Sequence, residues 1–117
     1  MSFRQLPIDP TEGFPQAFRL TVGTRDYQFR LYANVAEEKL AGTGLMRLPD
    51  DGAFLVLTVD REDPAGLTTI LRRKLVPDVV YHAAELALVF RTMLLDRRNL
   101  NGIGSFGSQV VGGVAPR

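Results

Sequence analysis

The chain has 117 residues, 45% of them apolar, and a formal net charge of +1. That is enough for one domain with its own core, and too balanced for a global field aimed at nucleic acid or an anionic membrane. Cysteine is absent and His82 is the single histidine, which rules out disulfides, thiolate metal sites, a cysteine nucleophile and a paired-histidine metal site.

The opening MSFRQLPIDP has no apolar leader run, and no stretch reaches the roughly 18 apolar residues of a membrane helix. A soluble product of the cytosol is expected. In AFRLTV, Phe18, Leu20 and Val22 share one strand face against Arg19 and Thr21. After the turn GTRD, the segment YQFRLYA resumes the alternation with Tyr27, Phe29 and Leu31 inward and Gln28, Arg30 and Tyr32 outward, which predicts a hairpin of well-specified register. Residues 34–52 lack periodicity and contain Gly42, Gly44, Pro49 and Asp50-Asp51-Gly52, so they read as a long connection closing in a turn.

AFLVLTV, residues 53–59, is apolar on both faces and predicts a strand covered on both sides, or one whose outer face meets another subunit. DREDPAG turns the chain. LTTILRRKLV is rich in β-branched residues but places Leu67, Thr69, Leu71, Arg73 and Leu75 on one face and Thr68, Ile70, Arg72, Lys74 and Val76 on the other, a mixture that suits an edge or interface strand. In YHAAELALVFRTMLLDRRNL, Leu86, Phe90, Met93, Leu94 and Arg97 follow helical spacing, while Leu86, Leu88 and Phe90 alternate as in a strand. Local preference leans slightly to a helix at about 81–98, which remains the alternative to a strand at about 85–95. From Asn99 onward periodicity fades, and residues 99–117 read as a Gly-rich C-terminal arm after a domain at 1–98.

The arm contains Gly102, Gly104 and Gly107 in the G-x-G-x-x-G spacing of a dinucleotide loop. That chemistry needs a helix after the glycines and an acid about 20 residues on, and no acid follows Asp96. No cofactor is therefore assigned. His82 has no G-x-S-x-G elbow beside it and reads as structural. Asp60, Glu62 and Asp63 lack the spacing of a calcium loop, and Asp50 and Asp51 read as turn formers, so no metal is assigned and no catalytic residue is identified. Arg72, Arg73 and Lys74 are consecutive and point alternately to opposite faces, which argues against one phosphate track and against nucleic acid. Tyr27, Tyr32 and Tyr81 read as packing or interface aromatics rather than stacking platforms. The last 21 residues carry Arg97, Arg98 and Arg117 and no acid, so +3 sits there against −2 in the first 96 residues. A basic tail beside an acidic body fits contacts between subunits, and Arg97, Arg98, Phe106, Val110 and Val111 are the candidate interaction residues.

QLPIDPTEGFPQAFRLTVGTRDYQFRLYAN resembles the opening of a family of small phage tail proteins, the cyanophage baseplate plug type. The matching positions are Pro7, Pro10, Phe18, Leu20, Val22, Gly23, Tyr27, Phe29, Leu31 and Asn34, with a second correspondence at Leu75, Val76 and Pro77. The family often carries Trp in its third strand, where this chain has Phe54. The resemblance decides the 85–95 segment in favour of strand. It implies an all-β fold, a small antiparallel barrel or sandwich; the long tail from Asn99, read above as an extended C-terminal arm, has no counterpart in the family. It further implies a non-enzymatic virion component in a tail or baseplate, made in the host cytoplasm, self-associating and contacting hub, tube or baseplate proteins. A free-standing small β-barrel that binds carbohydrate or nucleic acid is the alternative.

Overall fold

The computed structural model describes residues 2–9, 12–40, 45–96 and 109–117. The fold is an all-β sandwich of two antiparallel sheets that do not close into a barrel. In chain order the elements are β1 (Arg4–Gln5), β2 (Gln16–Val22), β3 (Arg25–Val35), a single helical turn α1 (Glu37–Leu40), β4 (Leu45–Arg47), β5 (Ala53–Asp63), β6 (Gly66–Lys74), β7 (Val80–Ala83), β8 (Leu86–Asp96) and β9 (Gln109–Pro116). One sheet runs β1-β9-β8-β4, with β7 also paired to β8; the other runs β2-β3-β5-β6.

The alternation read from AFRLTV and YQFRLYA becomes the β2–β3 hairpin, closed at Gly23, whose φ of 65° is left-handed. Tyr27, Phe29 and Leu31 are buried in its inner face, and Phe18 stacks on Phe29 at 5.2 Å between ring centroids. Ala53, Leu55, Leu57 and Val59 continue this inner layer on β5. Opposite them lie Leu86, Leu88, Phe90, Met93 and Leu95 of β8 with Val110 and Val114 of β9. The two layers form one core, as two sheets with apolar inner faces must.

β8 is a strand, and no helix forms at 81–98 within the described residues. Its register on β9 shifts between Phe90 and Thr92, leaving Arg91 as an extra, exposed residue. A similar shift places Val59 opposite Leu71 but Asp60 opposite Thr69, so Ile70 is extra in β6. A bulge reverses which residues face the core beyond it. Leu71 therefore points inward at 8% exposure, whereas Leu67, expected on the same face, is 54% exposed.

The expected C-terminal arm needs correction. Residues 109–116 are extended, but as the strand between β1 and β8 of the chain's own sheet. The reason lies in two glycines. A Cβ on Gly112 would stand 2.6 Å from the Phe90 ring, and one on Gly113 would stand 2.8 Å from the Phe3 Cβ. Backbone without side chains lets Phe90 fill the core side and Phe3 cover the outer side, so these glycines accommodate residues of the same chain and not a neighbour's backbone. The G-x-G-x-x-G spacing at 102–107 lies outside the described residues.

The 34–52 connection contains more structure than expected. It holds α1, then β4 paired to β8, then a turn in which Gly52 has φ 79°.

Candidate functional site: the outer face of the second sheet

Alternation sends Gln28, Arg30, Tyr32 and Asn34 of β3 and Phe54, Val56, Thr58 and Asp60 of β5 to the outer face of the second sheet. The register aligns them in rows across three strands: Arg30 opposite Thr58 opposite Arg72, and Tyr32 opposite Val56 opposite Lys74. The apolar residues on this side of β5 are covered by the chain itself. Val56 is 7% exposed between Tyr32 and Lys74, and the Lys74 ammonium sits 4.8 Å from the centre of the Phe54 ring, its stem laid over apolar surface.

The Arg30 row borders a cleft of about 370 Å³ lined by Pro15, Arg30, Tyr32, Thr58 and Arg72. Arg30 donates from Nη2 to Asp60 Oδ2 at 2.9 Å, and Thr69 donates to the other Asp60 oxygen at 2.6 Å. Farther along, Arg19 bridges Asp26 at 2.9 Å and Glu62 at 2.6 Å, and the bond from Arg19 holds the Glu62 carboxyl below its usual range. Arg72 forms no ion pair among the described residues. Arg73 points to the other side, its guanidinium 5.5 Å from the centre of the Tyr81 ring. The basic trio is divided between two faces, as alternation requires.

A second polar cluster ties the sheets together at one end. Tyr27 Oη donates to Glu85 Oε2 at 2.6 Å, and Arg61 donates from Nη1 to Glu85 Oε1 at 2.7 Å and from Nε to Asp63 at 3.0 Å. Burial first, and then the bond to Glu85, pushes the Tyr27 phenol up to about 12. Burial works to raise the Glu85 carboxyl, but the Tyr27 hydroxyl and Arg61 outweigh it and the net shift is downward. Asp63 is also lowered, by Thr68 and then Arg61. Asp60, Glu62 and Asp63, weighed in the sequence as metal ligands, are each bonded to a guanidinium. Among the described residues no group of three His, Asp or Glu side chains is placed to hold a metal ion.

At the far end of β6 the chain presents apolar side chains outward. Val76, Val79 and Val80 are 40%, 42% and 48% exposed. Their backbone is fixed: Leu75 N–H donates to the Leu55 carbonyl at 2.9 Å, Val76 N–H to Tyr81 Oη at 2.7 Å and Asp78 N–H to the Phe90 carbonyl at 2.7 Å. Asp78 holds a left-handed φ of 63° within this turn.

Of the interaction residues expected in the tail, the two that are described, Val110 and Val111, face opposite sides of β9. Val110 is buried on the core side of β9 opposite Met93. Val111 is on the outer side, 40% exposed, at the rim of a shallow depression shared with Phe3, Gln5, Val89 and Arg91. Arg97, Arg98 and Phe106 lie outside the described residues. His82 is exposed on β7, opposite Ala87. Sequence reasoning missed the cleft because its walls come from three strands. The only local signal was Thr58, a hydroxyl inside an otherwise apolar run.

No family model, curated protein or solved structure matches this chain.

Proposed function

We propose that the protein is a non-enzymatic structural component of a phage tail or baseplate, in the virion, acting through contacts with hub, tube or baseplate proteins and with copies of itself. The observation that carries this reading is the rigid presentation of Val76, Val79 and Val80 to solvent. Three half-exposed valines fall within five residues of one hydrogen-bonded turn, and loops fixed by a scaffold are where binding residues concentrate. The resemblance to baseplate plug proteins supports it from the sequence side, since Leu75, Val76 and Pro77 of that resemblance open the same turn. Leu75 is buried and anchors the segment, while Val76 is offered outward.

The test is incorporation. Tagged protein supplied during phage assembly should co-purify with intact tails. A Val79→Asp/Val80→Asp variant should melt near the parent temperature, because both side chains are exposed, and should be lost from the particles. Absence of the parent protein from purified tails, or equal incorporation of the variant, would overturn the reading.

A further inference from the structure

The cleft on the outer face of the second sheet has a chemistry of its own, independent of any role in a tail. Its volume of about 370 Å³ lies within the roughly 300–1000 Å³ range of small-molecule sites. Thr58 lines it, is 7% exposed, and its hydroxyl has no hydrogen-bond partner among the described residues. A buried hydroxyl with no protein partner has to be satisfied from the open side. Arg72 faces it across the row from Arg30 and lacks a carboxylate among the described residues.

Charge narrows the ligand. Arg30 is paired with Asp60, whose side chain is only 5% exposed, so Arg72 is the lining cation left without a carboxylate among the described residues. One guanidinium without a carboxylate suits a ligand that carries one negative charge. Planar guanidinium groups match the two oxygens of a carboxylate. Arg73 lies on the other face, and Lys74, on the same face, sits over Phe54 and is not part of the cleft lining. Tyr32 and Pro15 complete the wall with apolar surface. The geometry points to a binding site for a small organic monocarboxylate, with its carboxylate on Arg72 and the Thr58 hydroxyl and its ring or apolar body against Tyr32 and Pro15.

Calorimetry and ligand-observed NMR on the full chain test this, using glucuronate and benzoate as probes, glucose and benzyl alcohol as their neutral counterparts, inorganic phosphate, and a short acidic peptide. The two carboxylates should bind with millimolar or better dissociation constants, and the neutral counterparts and phosphate at least about tenfold more weakly. Arg72→Gln and Thr58→Val should each weaken carboxylate binding about five- to tenfold. Arg73→Gln should leave it unchanged. Backbone amide shifts at residues 30, 58 and 72 in the parent give a readout that needs no variant to fold. The proposal is overturned if neither carboxylate binds, if the neutral counterparts bind equally, if both cleft variants keep parent affinity, or if only the peptide binds, which would make the cleft a protein-docking surface.

Discussion

Tyr27 and Glu85 join the two sheets: the phenol on β3 donates a 2.6 Å hydrogen bond to a carboxylate in the turn between β7 and β8. Tyr27 is 1% exposed, so its hydroxyl depends on that partner, and Glu85 has Arg61 as a second one. Tyr27→Phe should therefore destabilise the protein by about 1.5–3 kcal/mol, the range for a hydrogen bond to a charged group. The Tyr27→Phe/Glu85→Gln double variant should lose less than the two single changes summed, and a double-mutant cycle in chemical denaturation measures the coupling.

The same contact sets a pH dependence. Tyr27 is raised from 10.0 to about 12, so its contribution is fully present below pH 10 and is lost as pH rises through the folded value. Glu62, Asp63 and Glu85 are lowered, so their contributions are present above the ordinary carboxylate values of 4.5, 3.8 and 4.5 and are lost as pH falls through the depressed ones. Melting temperature against pH should fall on both sides. Tyr27→Phe should flatten the alkaline limb relative to the parent and leave the fall caused by Glu62 and Asp63.

Phe29 is fully buried and stacked on Phe18, with ring planes 10° apart. Phe29→Ala should cost about 3–5 kcal/mol in urea unfolding. Phe18→Ala, at a partly buried position, should cost clearly less. Equal losses would mean that the ring of Phe18 is as enclosed as that of Phe29.

At Gly112 the prediction concerns excess volume. An added methyl would overlap the Phe90 ring, so Gly112→Ala should destabilise by about 1–3 kcal/mol. Phe90→Leu in the same chain should recover part of that loss, because the smaller side chain vacates the space. Independent, additive losses in thermal unfolding would show that Phe90 is not the obstacle.

Truncation after Leu100 removes β9 and uncovers the β8 edge with Val110 and Val114 gone from the core. The shortened chain should lose cooperative unfolding by circular dichroism and calorimetry. A sharp transition near the parent temperature would instead return the tail to the status of a detachable arm.

The β2–β3 hairpin was legible because its two-residue period is unbroken along each strand, through Phe18, Leu20 and Val22 and then Tyr27, Phe29 and Leu31. The ambiguity in β8 has a structural origin. The extra residue Arg91 spaces the inward positions Phe90 and Met93 three apart, and three is a helical interval, so a bulged strand imitates a helix in sequence. Ile70 hid the true faces of β6 in the same way. The tail looked unstructured because Gly112 and Gly113 contribute no side chains to a pattern, while the groups that fill their places, Phe90 and Phe3, lie far off in sequence. The cleft depends on the pairing of Arg30, Thr58 and Arg72 across strands, which no single stretch of sequence encodes.

The bulge at Ile70 also bears on what happens when many copies of the chain are crowded together. β6 is an outer strand of its sheet, and a long regular outer strand is a template on which other chains can polymerise. Ile70 divides β6 into two short runs of opposite facing, and Arg72, Arg73 and Lys74 follow it with charge. A second copy approaching edge-on cannot keep one register along the strand, and meets three cations where it tries. The irregularity thus guards against amyloid-like stacking, so straightening β6 by deleting Ile70 would be expected to raise the aggregation rate.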